Sequence, residues 1–169
     1  MVPPSRITEG IRRGRPRLRG ESTLKPTPQT GPPVSHKAKK SVLFVCIGNS
    51  CRSQMAEAFA RAYGSDILTV RSAGLAPASI VQPLTRKVLI EKGISSEGQF
   101  PKGLESVAAD SFDVVVNISG EQLPARPAAH RSIEWRVPDP IGQSENLYRT
   151  VAAQIEDLVM RLILELRGS

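Results

Sequence analysis

The sequence predicts an α/β fold, a parallel sheet covered on both faces by helices and preceded by a basic tail. Short continuous apolar runs, the mark of strands buried on both faces, alternate with segments whose apolar residues recur at helical spacing. The first run leads into a compact loop and then a helix. Open α/β sheets bind ligands beyond the C-terminal ends of their strands, so the loop 46–52 is the place to look for a site. The charge divides at the same boundary: residues 1–40 hold ten Lys/Arg and two acids, whereas 41–169 hold thirteen and fourteen.

The net charge of +7 and the high pI therefore belong to residues 1–40. That segment carries seven of the fourteen prolines and almost no apolar periodicity. It cannot bury enough surface to offset its ordering entropy, and it reads as a disordered Pro/Arg-rich tail. Its arginine run, Arg12 to Arg19, suits nucleic acid or anionic lipid by counterion release. No aromatic residue interleaves those arginines for base stacking, so a solvated extension is the preferred reading. The remaining 129 residues form one domain. No apolar run approaches the roughly 20 residues of a membrane helix. No apolar h-region follows Arg12-Arg13, so a secretory or twin-arginine signal is not expected. Two cysteines, with only His36 and His130 beside them, argue against a disulfide framework and a four-ligand zinc site. A reducing, cytoplasmic setting without metal is the expectation.

Order is expected from Ser41. Val42-Leu43-Phe44-Val45 reads as a buried strand. Gln54 to Tyr63 reads as a helix, with Met55, Ala56, Phe59, Ala60 and Tyr63 in register, Glu57 four residues before Arg61, and Gly64 as C-cap. Ile67–Val70 is a second strand. Pro83 starts a helix that runs to Lys92 and ends at Gly93. A short helix covers Leu104–Ala109, and Phe112–Val116 is a third buried strand. Ser132–Trp135 is a shorter fourth. Ser144 N-caps a long last helix with its apolar stripe at Leu147, Val151, Ile155, Leu158, Leu162 and Leu166, and Glu145–Arg149 and Asp157–Arg161 pairs outside.

The loop Cys46-Ile47-Gly48-Asn49-Ser50-Cys51-Arg52-Ser53 carries the chemistry. A strand, a tight loop and a helix N-terminus together turn backbone N–H groups toward one point and make a nest for a tetrahedral oxyanion. Gly48 can take the positive φ such a loop needs, and Asn49 tolerates the left-handed region. Arg52 offers a planar fork for two oxyanion oxygens. Cys46 lies at the strand end beneath the nest. A neighbouring arginine and helix N-terminus favour the thiolate, the nucleophilic form of a cysteine. Ser53 is placed to donate its hydroxyl to that sulfur. The loop has no lysine and no G-x-x-x-x-G-K-[ST], so it is not a nucleotide-binding P-loop. Read without context, Cys46 is also compatible with a small buried hydrophobe.

In this loop, in Gln54-Met55-Ala56-Glu57, in Ser72-Ala73-Gly74 and in Asp139-Pro140, the sequence over 41–169 resembles the low-molecular-weight protein tyrosine phosphatase superfamily, which includes a class of arsenate reductases. The resemblance implies a four-stranded parallel sheet, a three-layer sandwich, a covalent cysteinyl intermediate and no metal. By it, Cys46 is the nucleophile, Arg52 clamps the oxyanion, Asn49 and Ser72 hold the loop's shape, Ser53 steadies the thiolate and Asp139 is the general acid. Chemistry supports the last role, because an alkoxide or phenoxide leaving group needs a proton; a turn residue before Pro140 is the other reading of Asp139. Cys51 is either a redox partner able to form a protective disulfide with Cys46 or a buried structural thiol.

Ser50, the Gln54–Glu57 spelling and the lack of an aromatic residue after Gly74 look like the reductase branch. Thioredoxin-linked reductases of the superfamily pass a disulfide to a cysteine pair after the third strand. Ser119 stands about where the first such cysteine would be, and serine takes no part in thiol exchange. The hydrolytic set is complete and the reductive one is not, so the sequence alone favours a cysteine-dependent phosphatase that cleaves a phosphomonoester through a phosphocysteine, with no cofactor. The alternatives are an arsenate reductase served by an external thiol such as glutathione or mycothiol, and a non-catalytic anion- or nucleic-acid-binding protein using the tail.

Overall fold

The computed structural model describes residues 37–125 and 127–169; the arginine-rich segment, and with it the expectation of a disordered tail, lies almost wholly outside them. The described chain forms a four-stranded parallel sheet from β1 (Lys40–Cys46), β2 (Leu68–Gly74), β3 (Ser111–Asn117) and β4 (Ala128–Glu134), in the order β2-β1-β3-β4. β1 is central, with Val42 opposite Val70 on one side and Val114 on the other. Its residues from Val42 to Cys46 are at most 2% exposed, which is why the run is apolar without alternation.

The side chains of β1 still alternate between two cores. Val42, Phe44 and Cys46 face α1 (Arg52–Gly64), α2 (Pro83–Glu91) and α3 (Glu145–Gly168), meeting Phe59, Leu89, Ile155 and Ile163. Leu43 and Val45 face the other way, toward Phe112, Val115 and Val107, the last from a 3-10 helix at Leu104–Val107. The sheet is covered on both faces, but unevenly. The three α-helices share one face, and the single 3-10 turn with Leu75, Leu104 and Leu123 closes the second.

Element boundaries follow local chemistry. β2 runs on through Arg71-Ser72-Ala73-Gly74, beyond the apolar run that signals it. β4 begins four residues before its expected start and is exposed along nearly its whole length. It is a sheet edge, where polar residues discourage further pairing, so it lacks an apolar signature. Trp135 follows the strand and packs on Phe44 with ring centroids 5.6 Å apart. Ser144 caps α3 as expected, its Oγ accepting from Leu147 N at 3.3 Å. The Glu145–Arg149 and Asp157–Arg161 pairs form. Gly64 differs from expectation. It is the last residue of α1, not a left-handed cap, and a Cβ there would lie 3.0 Å from Leu68 Cδ1 and 3.1 Å from Ile163. Its role is the close approach of α1 to α3. Among the described residues no helix is long and apolar enough to cross a membrane.

Candidate active site

The loop between β1 and α1 is shaped by one left-handed residue. That residue is Asn49, with φ +47°; Gly48, expected to supply the positive φ, does not. An asparagine accepts this conformation when its side chain is anchored. Here Oδ1 accepts from Lys102 N at 2.9 Å and Gln54 Nε2 at 3.1 Å, while Nδ2 donates to Ser53 Oγ at 2.8 Å. Gly74 at the end of β2 seals the arrangement. A Cβ there would come within 2.7 Å of Ile47 O and 2.8 Å of Asn49 N, so only glycine lets the loop lie against the neighbouring strand.

The loop carbonyls point outward, and each has a partner. Leu75 N donates to Cys46 O at 3.1 Å, Ala76 N to Ile47 O at 2.8 Å and Ala78 N to Gly48 O at 2.9 Å. Gln54 Nε2 donates to Asn49 O at 2.9 Å, and Gln82 N and Thr85 Oγ1 reach Ser50 O at 2.9 and 3.1 Å. With its carbonyls bound outside, the loop turns its N–H groups inward. Among the described residues no protein acceptor takes the N–H of Gly48, Asn49, Ser50 or Cys51. No side chain caps the N-terminus of α1. These donors and the helix dipole converge where a tetrahedral anion fits.

Cys46 Sγ lies at the base of this nest, 2.9 Å from Ser53 Oγ. Ser53 Oγ already accepts from Asn49 Nδ2, which leaves its own proton to point at the sulfur. Arg52 is buried. Its Nη1 donates to Ile118 O at 2.9 Å and Val137 O at 3.2 Å, and its Nη2 to Asp139 Oδ2 at 3.0 Å. Asp139 is a turn residue before Pro140 and also lies beside Arg52. One oxygen pairs with Arg52, and the other accepts from Ile141 N at 3.2 Å in the turn around Pro140.

Among the described residues the Ser72 side chain makes no hydrogen bond to the loop. Its hydroxyl donates to the buried Glu57, which also pairs with Arg61 and lies 3.7 Å from Lys102 Nζ. Lys102 closes the circuit, since its backbone N–H holds Asn49. Burial pushes the Lys102 ammonium below its ordinary value, and Glu57 opposes that shift. Sequence reasoning missed Lys102 and the role of Glu57; the only signal was Glu57 within the Gln54–Glu57 spelling. Cys51 is 1% exposed and a free thiol, as is Cys46. Burial pushes the Cys51 thiol up to about 12, against a hydrogen bond with Thr85, so in this conformation it is a protonated, enclosed group. A cavity of about 560 Å³ adjoins Arg52 at the ends of β3 and β4. Among the described residues no cluster of three His, Cys, Asp or Glu is arranged to hold a metal.

Comparison with known proteins gives the same region a family. A model of the low molecular weight phosphotyrosine protein phosphatase matches residues 41–169. A glutaredoxin arsenate reductase of Synechocystis sp. is 40% identical over 130 residues, spanning 75% of this chain and 98% of the relative. Arsenate reductase 1 of Bacillus cereus is 35% identical, over 69% of this chain and 89% of its own length. The solved structure of an arsenate reductase in the phosphate binding state superposes with a TM-score of 0.69 at 38% identity, over 75% of this chain and 98% of that one. With the parallel sheet and the oxyanion loop already in place, these matches establish that the chain belongs to the low molecular weight phosphotyrosine protein phosphatase family.

Proposed function

We propose that the domain is an arsenate reductase that takes its electrons from an external thiol. The observation that carries this reading is the 35–40% identity to arsenate reductases over nearly their whole length. The sequence alone placed a phosphatase first, because nucleophile, nest, arginine and acid make a complete hydrolytic set. The same set binds arsenate as well as phosphate, since both are tetrahedral oxyanions, and the relatives favour the reductive use of it.

The Cys46 thiolate attacks arsenate, forming an S–As bond while an oxygen leaves as water with a proton from Asp139. A thiolate from outside then attacks Cys46 Sγ. An S–S bond forms, the S–As bond breaks, and its electron pair stays on arsenic, which departs as arsenite. A second thiol attacks the mixed disulfide, frees Cys46 as the thiolate and leaves as the oxidised disulfide. Arg52 and the loop N–H groups carry the oxyanion charge throughout. Cys51 is a poor source of the second thiolate because it is buried and protonated. The Synechocystis relative is named for glutaredoxin, so a glutathione-linked reductant is the natural class to test.

The test is arsenate-dependent oxidation of glutathione, with and without a glutaredoxin, by the wild type and by Cys46→Ser, beside hydrolysis of p-nitrophenyl phosphate. Arsenate reduction that vanishes in Cys46→Ser and is competitively inhibited by phosphate is the expected result. Phosphate-ester turnover without arsenate reduction returns the reading to a phosphatase.

A further inference from the structure

The cavity beside Arg52 is placed where parallel sheets bind ligands, beyond the C-terminal ends of β3 and β4. Its volume of about 560 Å³ is that of a small-molecule site. Arg52 forms one wall, together with Ile118 and Val137, whose carbonyls hold its guanidinium. The cavity and the oxyanion nest therefore share this arginine. Glu134, Trp135 and Arg136 line the cavity as well. The β3–β4 ladder continues to Trp135, whose N–H donates to Asn117 O at 2.9 Å. In extended chain, residues two apart lie on one side, which groups Glu134 with Arg136. Both are exposed. Among the described residues neither side chain forms an ion pair or a hydrogen bond; Arg136 is engaged only through its carbonyl, by Gln154 Nε2 at 3.1 Å. A carboxylate and a guanidinium that line one cavity without neutralising each other present two opposite charges to a ligand.

Reduction of arsenate to arsenite takes two electrons, which two thiols supply as one disulfide. The chain has two cysteines, and Cys51 is enclosed beside Thr85. Arsenate itself is placed by the nest. What is left for the adjoining cavity is the molecule that brings the second sulfur.

Building on the reductase reading, we infer that this cavity binds the reductant, a small thiol whose far end carries an α-carboxylate and an α-ammonium, with Arg136 taking the carboxylate and Glu134 the ammonium. A γ-glutamyl thiol has that chemistry, with its sulfur several bonds from the zwitterionic end. A planar guanidinium suits the carboxylate, and a carboxylate suits the ammonium. The thiolate so anchored attacks Cys46 Sγ, forms the mixed disulfide and expels arsenite, the S–As electron pair staying on arsenic. A folded protein reductant does not enter a cavity of this size.

Glutathione is the probe, with 2-mercaptoethanol, which has a thiol and no zwitterionic end, as the comparison. At saturating arsenate, Arg136→Ala and Glu134→Gln each lower the ratio of kcat/KM for glutathione to that for 2-mercaptoethanol by roughly tenfold, through KM. A ratio that stays at the wild-type value in both variants overturns the proposal. So does arsenate reduction supported by a glutaredoxin but by neither small thiol, which assigns the reductant to a protein partner. If no reductant supports arsenate reduction, the reductase reading itself fails. S-methylglutathione, which binds without reacting, then decides the site by calorimetry: binding that Arg136→Ala weakens keeps a γ-glutamyl site, and no binding removes it.

Discussion

Asp139 gives one carboxylate oxygen to Arg52 and the other to the backbone N–H of Ile141. The first contact engages a donor of Arg52, the residue that the proposed reaction uses to hold the oxyanion. In that proposal an incoming anion competes for the donor and in doing so releases Asp139 for proton transfer. Asp139→Asn removes the competing charge and keeps the shape. Turnover is expected to fall by about 10²–10⁴-fold, while phosphate binds at least as tightly as to the wild type. Calorimetric titration with phosphate checks the second half; clearly weaker binding would make Asp139 part of the anion site and not its competitor. At this scale the sequence was readable wherever a residue type has few uses. Cys46, Arg52 and Ser53 stand where the order of strand, turn and helix puts them, around one loop. Lys102 was unreadable because its contribution to the loop is a backbone N–H, which every residue but proline possesses. Gly48 misled for the complementary reason: glycine is the usual left-handed residue, but the anchoring of the Asn49 side chain moved the positive φ by one position.

The helix α1 joins the loop after β1 to the rest of the domain. Its N-terminus completes the nest, and its C-terminus is pressed between β2 and α3 at Gly64. The close approach there makes a prediction. In Gly64→Val the first added carbon lies 3.0–3.1 Å from Leu68 and Ile163, and the branch adds more. Overpacking of this kind costs about 1–3 kcal/mol. The urea midpoint should fall accordingly, while phosphate affinity, set at the far end of the helix, changes little. Equal loss of both would mean that α1 transmits the distortion as a rigid rod. Elements with two buried faces or a full apolar stripe were legible, because burial itself writes the pattern: β1, β3, α1 and α3 stand close to where the sequence puts them. β4 was seen only in part. Among its residues Ile133 alone is more than superficially buried, so nothing marks where it begins. The last four residues of β2 hid behind the polar Arg71 and Ser72, whose partners are Asp110 and Glu57.

Across the whole domain, several ties between elements depend on ionised carboxylates. Asp113 on β3 accepts from Ser41 N at 2.7 Å and Ser41 Oγ at 2.9 Å at the start of β1. The Ser41 backbone bond, ahead of the Ser41 hydroxyl and the charges of Lys40 and His130, holds its carboxyl below the ordinary range. Glu156 on α3 accepts from Tyr63 on α1 at 2.7 Å and pairs with Lys92 after α2. Burial pushes Glu156 up, but these bonds outweigh it and its carboxyl is also held low. Tyr63 in turn is pushed up to about 12, chiefly by its bond to Glu156, and stays a donor. A carboxyl held low in the folded state binds fewer protons there than in the unfolded chain. Its contribution is therefore complete above the unfolded value of about 4 and disappears as the pH falls through the folded value. The domain should lose stability on acidification below about pH 4. Asp113→Asn isolates one part of that loss, since asparagine retains an acceptor for Ser41 but does not titrate. Urea midpoints at pH 7 and at about pH 3 should show the variant below the wild type at neutral pH and the gap narrowing in acid, as the wild-type carboxylate is protonated. A gap of constant size would mean that the Ser41 contacts act as ordinary hydrogen bonds, with no share in the pH dependence of the fold.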